Sequence, residues 1–413
     1  MPDLTWVATD LKTGLLLADL PDLDVSAVKS TLGRYESAMA SLPLPTAPEN
    51  WQRATLEGAS VLWLLSDGQP VWGGMVTEPN LSEGDTIDLS LATLEAYLDR
   101  RFVGDETFTG VGQNVIIKTL VEKYAVLGSN GGVPFRVQFT TPGNGTPRDR
   151  TYKDADDKTL YSILSDLMGI DGGPEWTVGG EWQHNPERIT PVLYVGDRIG
   201  KGVPVGLGPA ATFEMPGCVS SFVLARSYAN GKGANSVMAV STASADVRPQ
   251  SPRQLSTDTT RPTFEYRYTP STSITDVSTL TNHAVAALEI LANGSAVIAM
   301  SADVGSAPVL GLDWSSGDDL GFSVGGLEDD PRVRYVTTYS GGDLFTDTFR
   351  DIFGYGTSVA TTAPVKVNPF GRDTVPAFPG GLVGIARNIG WEMTLSATPI
   401  VTPTLLSATL KGA

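Results

Sequence analysis

Two histidines, a single cysteine and a few runs of adjacent acids are the residues of this 413-residue sequence best suited to making or breaking bonds. His184 sits beside Asn185-Pro186 in a turn context, and His283 lies near the start of a helical stretch. Neither has a second histidine at metal-ligand spacing, so both read as exposed or capped side chains. The residue count leaves a Ser-His-Asp triad open, but no G-x-S-x-G elbow is read here to favour it. Cys218 rules out an intrachain disulfide and any zinc site built on paired cysteines, and it reads as a small buried hydrophobe. The remaining route to hydrolysis is a pair of carboxylates facing each other across a few ångströms, as a glycosidase uses. Asp156-Asp157, Asp318-Asp319 and Glu328-Asp329-Asp330 are the visible clusters, and in Gly-rich surroundings they read as solvated turns of an acidic chain. Gly231-Lys232-Gly233 lacks the Lys-Ser/Thr ending of a phosphate loop. The eight tryptophans could mark a carbohydrate-binding face, but Trp63, Trp72 and Trp391 fall in apolar or alternating strand patterns and read as core. The reading therefore assigns no catalytic residue, no cofactor and no metal.

The elements that would carry these residues follow from hydrophobic period. Val61–Leu65, Val71–Val76 and Ile87–Leu91 are apolar or alternating runs, and Asp67-Gly68 between two of them predicts a hairpin. Leu42 to Pro48 reads as an extended loop. Gly73-Gly74 inside a strand predicts a bulge or a close backbone approach. After Arg101 the texture changes. Ile116, Ile117, Leu120, Val121 and Tyr124 fall on one helical face, and Leu160, Ile163, Leu164 and Leu167 repeat at helical spacing after a capping candidate, Asp157. Val133, Phe135, Val137 and Phe139 alternate between them as a strand, which makes this stretch an α+β insertion. Short strands return from Pro191, a polar tract from Ser241 to Pro262 reads as a long exposed loop, and Leu280, Ala284, Ala287, Leu288 and Leu291 line one more helix ending at Asn293-Gly294. Ile389, Trp391, Met393 and Leu395 alternate as a closing strand.

Composition bounds the function. A length of 413 residues suggests about three domains, or two large ones with insertions, and 41% hydrophobic against 18% charged residues is a globular balance. The formal charge of −17 and pI near 4.5 oppose nucleic-acid binding by bulk electrostatics and suit a surface past which DNA slides without sticking. The start, Met1 to Trp6, has neither the basic end nor the apolar run of a signal peptide, and no stretch approaches a membrane span, so the chain is expected to be made in the cytosol.

The order of segments resembles a known family. Thr13–Leu20 leads into Pro70-Val71-Trp72-Gly73-Gly74-Met75-Val76, then Leu94–Phe102 with Tyr97, Arg100 and Arg101, a helical insertion, and a closing Ile389-Gly390-Trp391-Glu392-Met393. This resembles the tail hub or minor tail proteins of long-tailed bacteriophages, particularly those of actinobacteria; the stretch from Tyr339 to Leu382 matches nothing in that pattern. The resemblance implies a mainly β fold with an α+β insertion: two tail-tube-like β-barrel domains plus a helix-containing middle region. The expected division is 1–105 for the first barrel, 106–188 for the insertion, 189–300 for a mixed region with second-barrel strands, the exposed loop and a helix, and 301–413 for the rest of the second barrel.

In that family three copies form a ring of six similar barrels, closing the tail and passing the tape measure protein and DNA during ejection. The resemblance thus implies a homotrimer at the virion tail tip, contacting the distal tail or tube protein, the tape measure protein and other tip or receptor-binding proteins, with DNA only in transit. Trp72, Gly73, Gly74, Tyr97, Arg100, Arg101 and Trp391 are the candidate structural or interface residues it supplies. Some family members carry a wall-digesting extension, and the roughly twenty residues after the Trp391 strand are too few for one, which favours a structural role. Two other classes compete: a wall-degrading hydrolase using the acidic residues, and a host glycan- or receptor-binding module using exposed aromatics.

Overall fold

A computed structural model describes residues 2–81, 84–126, 131–170, 172–202, 209–242, 248–257, 260–269, 276–292, 294–325 and 382–411. The N-terminal hundred residues supply β1 (Leu4–Asp10), β2 (Leu16–Asp19), β3 (Asp24–Val25), β4 (Ala27–Thr31), β5 (Ser37–Pro43), α1 (Trp51–Ala54), β6 (Ser60–Ser66), β7 (Gln69–Leu81), β8 (Thr86–Thr93) and α2 (Glu95–Leu98). The insertion holds β9 (Glu106–Gly112), α3 (Gln113–Tyr124), β10 (Arg136–Phe139), β11 (Pro147–Tyr152), α4 (Leu160–Met168), β12 (Glu175–His184) and β13 (Glu187–Gly196). Then come β14 (Ala211–Met215), β15 (Val219–Ser227), β16 (Ser236–Ala239), β17 (Gln254–Leu255), β18 (Glu265–Tyr268), α5 (Val277–Leu291), β19 (Ser295–Asp303), β20 (Asp319–Val324), β21 (Leu382–Thr394) and β22 (Ile400–Lys411). The fold is mainly β, with a sheet curled into a half-barrel.

A first seven-stranded sheet runs β2-β1-β6-β7-β8-β5-β3. Its β6–β7 hairpin turns at Asp67 (φ 48°) and Gly68 (φ 76°), the left-handed pair that a two-residue turn between twisted strands requires, as Asp67-Gly68 predicts. β6 is buried along its whole length because both faces of the sheet are covered, which is why its sequence is a continuous apolar run and not an alternation. Val61, Trp63 and Leu65 point into one cluster with Ile116, Ile117, Leu120 and Val121 of α3, Leu160, Ile163, Leu164 and Leu167 of α4, and Trp176, Ile189, Leu193 and Val195 of the insertion sheet β10-β13-β12. Each such side chain contributes about 1.5–3 kcal/mol by leaving water, so the helical stripe read from the sequence fixes the insertion against the first sheet. The N-cap of α4 is Thr159, whose hydroxyl accepts from the Ser162 amide at 3.1 Å; the expected cap, Asp157, sits two residues earlier in the left-handed conformation. Leu42 and Pro43 belong to β5, correcting the extended loop expected there.

A second seven-stranded sheet has the order β14-β20-β21-β22-β19-β15, with β4 paired to the far half of β21. Trp391 lies opposite Ser30, and Met393 opposite Val28, so five residues from near the N terminus complete a sheet built otherwise from the C-terminal half. The chain separates into two compact units, the first comprising Met1–Phe222, Met300–Leu405 and Thr409–Ala413, the second Val223–Ala299 and Leu406–Ala408. In the second unit Leu280, Ala284, Ala287 and Leu291 of α5 cover Ala234, Val237 and Ala239 beside the small sheet β17-β16-β18. The polar tract expected to be a loop contributes β17 and buries Ser241 and Ser251; its residues 243–247 and 258–259 lie outside the described residues. Asn293 of the expected helix stop and nearly all of 339–382 also lie outside them.

Candidate functional site

The seven candidate interface residues fall in two places. Trp72 is buried edge-on against Trp6 (ring centroids 6.0 Å apart), and its indole N–H donates to the Lys29 carbonyl of β4 at 2.8 Å. Since β4 also pairs with the Trp391 segment, Trp72 and Trp391 flank the same short strand. Gly73 and Gly74 supply room rather than a bulge: a Cβ on Gly73 would sit 2.4 Å from the Trp63 ring, and one on Gly74 2.3 Å from the Trp72 ring. Gly180 of β12 meets the same Trp63 ring at 2.6 Å, so one indole, anchored through its N–H to Thr9 Oγ1 at 2.9 Å, fills the gap between β7 and β12. Tyr97, Arg100 and Arg101 lie apart from this group. Tyr97 packs on Phe135, Arg101 donates to the Tyr124 carbonyl at 2.6 Å, and Arg100 is exposed.

The residues suited to chemistry turn out to be structural. Asp318 is 3% exposed, and its carboxylate accepts from the amides of Lys201 (2.6 Å) and Ser315 (2.7 Å); Asp319, 8% exposed, takes the Arg198 guanidinium at 2.5 Å. They are therefore not the solvated turn expected of them. Beside them Arg387 donates to Glu175 (2.5 Å), the Gly317 carbonyl (2.7 Å) and the Ile199 carbonyl (3.1 Å), and Glu175 also accepts the Ile199 amide at 2.7 Å. This partly buried charge network latches the insertion sheet to the second seven-stranded sheet; its carboxylates and the Arg387 guanidinium are paired, while the Arg198 Nε is buried without a hydrogen-bond partner among the described residues. Asp156 and Asp157 are exposed, as expected, and Glu328-Asp329-Asp330 lie outside the described residues. His184 accepts from the Trp182 indole at 2.9 Å, and His283 stacks on Tyr268.

The expected lack of a G-x-S-x-G elbow is corrected by Gly321-Phe322-Ser323-Val324-Gly325, which has that spacing. An elbow needs a sharp strand-to-helix turn that exposes the hydroxyl. Ser323 instead lies within β20, 1% exposed, between Glu214 of β14 and Val383 of β21. Among the described residues no group of three His, Cys, Asp or Glu is placed to hold a metal ion, and no helix is long and apolar enough to cross a membrane.

Above the latch a cleft of about 620 Å³ opens between the outer face of β12–β13, the β6–β7 turn and the 310–316 loop. Gln69, Thr140, Thr177, Glu181, Trp182 and Tyr194 line it, with backbone at Gly179, Gly180, Gly200 and Gly311. Burial raises the Tyr194 phenol above its ordinary range, and Glu181, which faces it, is paired with Arg136. Glu95 lies along the edge of β12, fully enclosed. Desolvation pushes its carboxyl above the usual carboxylate range, opposed by hydrogen bonds from Thr93, the Val178 amide and Thr177.

The fold defined by these sheets is similar to that of solved tail proteins. The chain is similar over 98% of its length, and 98% of the other's, to the 43 kDa tail protein of prophage MuSo2 from Shewanella oneidensis, with 9% sequence identity and a TM-score of 0.54. It is similar in the same way to the tail protein from Neisseria meningitidis MC58, with 11% identity, coverage of 97% and 96%, and a TM-score of 0.50. No family model matches the sequence, and no curated protein matches it.

Proposed function

We propose that this chain is a structural tail hub: three copies form a ring at the virion tail tip that joins the tail tube to the tip and passes the tape measure protein and DNA during ejection. The observation that carries the reading is the end-to-end fold similarity to tail proteins, in a chain that holds two separate seven-stranded sheets. On this reading each sheet is one tube-like barrel, and three chains present six of them to the tube above. Both sheets are open among the described residues, the first ending in strands of four and two residues and the second in β14 and β15. Neighbours in a ring would cover such edges, which exposed alone are templates for uncontrolled pairing. The setting of Asp318 and Asp319 supports a non-enzymatic role, because both carboxylates are buried and engaged with backbone amides and a guanidinium rather than facing an open site.

The partners of such a ring are further copies of the chain, the distal tail or tube protein, the tape measure protein and other tip or receptor-binding proteins. A net charge of −17 keeps phosphate contacts few, so DNA passes without being held. Mass measurement and imaging of the assembled tail tip test the reading: three copies per tip are expected, and six or one would refute it. A monomer in dilute solution is compatible with a ring that closes only on the tail.

A further inference from the structure

The cleft above the latch is lined mainly by neutral polar and aromatic groups. We infer that it binds a short neutral saccharide, held by Trp182, Tyr194 and Gln69, with Thr140 and Thr177, whose hydroxyl protons go to the Arg198 carbonyl and to Glu95, offering lone pairs only. Its volume, about 620 Å³, is that of a small-ligand site. None of the described lining residues is Lys or Arg, and the one carboxylate among them, Glu181, is engaged with Arg136. A phosphate or carboxylate ligand would find no cationic partner there. What the walls offer instead is neutral hydroxyl, amide and backbone groups beside two half-buried aromatic rings. A pyranose presents the complementary surface, with a C–H face to lie on an aromatic ring and hydroxyls that both donate and accept.

The strand beneath is shaped for that ring. Gly179 has no side chain where the Tyr194 ring passes 3.0 Å from the position of a Cβ, which lets the phenol lie along the sheet and leaves the cleft open. A strand-adding peptide is a poorer occupant. It needs a run of free backbone groups on the edge of β12, yet the Trp176 carbonyl already accepts from Gly33 and the Val178 amide donates to Glu95.

The test is calorimetric titration of the full chain with three neutral trisaccharides, chitotriose, maltotriose and laminaritriose, and with the neutral hexapeptide (Gly-Ser)3. At least one saccharide is expected to bind saturably. Gly179→Val, which forces the Tyr194 ring into the cleft, should weaken it about tenfold, and Tyr194→Phe and the exposed-turn change Gln69→Ala about threefold each. The last two keep the fold intact should Gly179→Val not. No binding by any of the three sugars at about 20 mM, affinity unchanged in Tyr194→Phe and Gln69→Ala, or tighter binding of the hexapeptide would each overturn the inference.

Discussion

Replacing Arg387 with Met should unfasten the insertion from the second sheet, and the cost can be worked from its partners. Arg387 makes three hydrogen bonds, one of them to a carboxylate, and the side chains of Arg387 and Glu175 are 16% and 22% exposed. Without the guanidinium, Glu175 remains a mostly buried charge holding only the Ile199 amide, and the carbonyls of Gly317 and Ile199 lose a donor. Breaking a buried pair from one side costs about 3–5 kcal/mol, and the residual exposure here puts the expected value near the lower end, about 3 kcal/mol. Replacing both partners, Glu175→Met with Arg387→Met, removes the stranded charge and should recover about 2 kcal/mol of the summed single costs. All eight tryptophans lie in the first compact unit, so urea unfolding followed by tryptophan fluorescence reads that unit alone. With a slope of about 3 kcal/mol/M, the single variant should shift the midpoint by about 1 M. A loss below about 0.5 kcal/mol, or single costs that simply add in the double variant, would show that the latch carries no weight.

Glu95 gives a pH dependence with a definite sign. Its folded pKa is raised by burial, so the folded state holds the proton more tightly than the unfolded chain, and the resulting stability is full at low pH and lost as pH rises from the ordinary carboxylate value through the raised one. Glu95→Gln, which keeps an oxygen for the Val178 amide, should therefore gain stability relative to wild type as pH rises from the ordinary carboxylate range toward neutrality in thermal melts, and parallel pH curves for the two proteins would refute this. Gly73→Ala should cost about 2 kcal/mol or more, because the methyl meets the Trp63 ring wedged between β7 and β12, whereas Gly84→Ala, with open space around it, should stay within about 0.5 kcal/mol; equal melting points for the two variants would contradict the packing. Asp318→Asn turns one carboxylate oxygen into an amide facing a backbone N–H and should cost about 2–4 kcal/mol, while purified cell wall stays uncleared by wild type and variant alike. Clearing by wild type that disappears in Asp318→Asn would favour the hydrolase reading instead.

What the sequence determined by itself was local. The stripes of α3, α4 and α5, the Asp67-Gly68 hairpin and the closing strand at Trp391 were legible because side-chain period and turn stereochemistry act within a few residues, and the structure forms each of them there. Gly73-Gly74 stood out as a bulge or a close backbone approach, but what comes close there are the indole rings of Trp63 and Trp72, which local sequence could not name. Tertiary structure decided the rest. Asp318 and Asp319 look like a surface turn until Lys201 and Arg198, more than a hundred positions away, are folded onto them. Ser323 fits a nucleophile motif until two flanking strands bury it. The partner of Glu175 lies 212 residues along the chain, and β4 leaves its neighbours in sequence to pair with β21. A polar residue's role is set by whether water or a distant partner satisfies it, and that choice is made only when the sheets close over it.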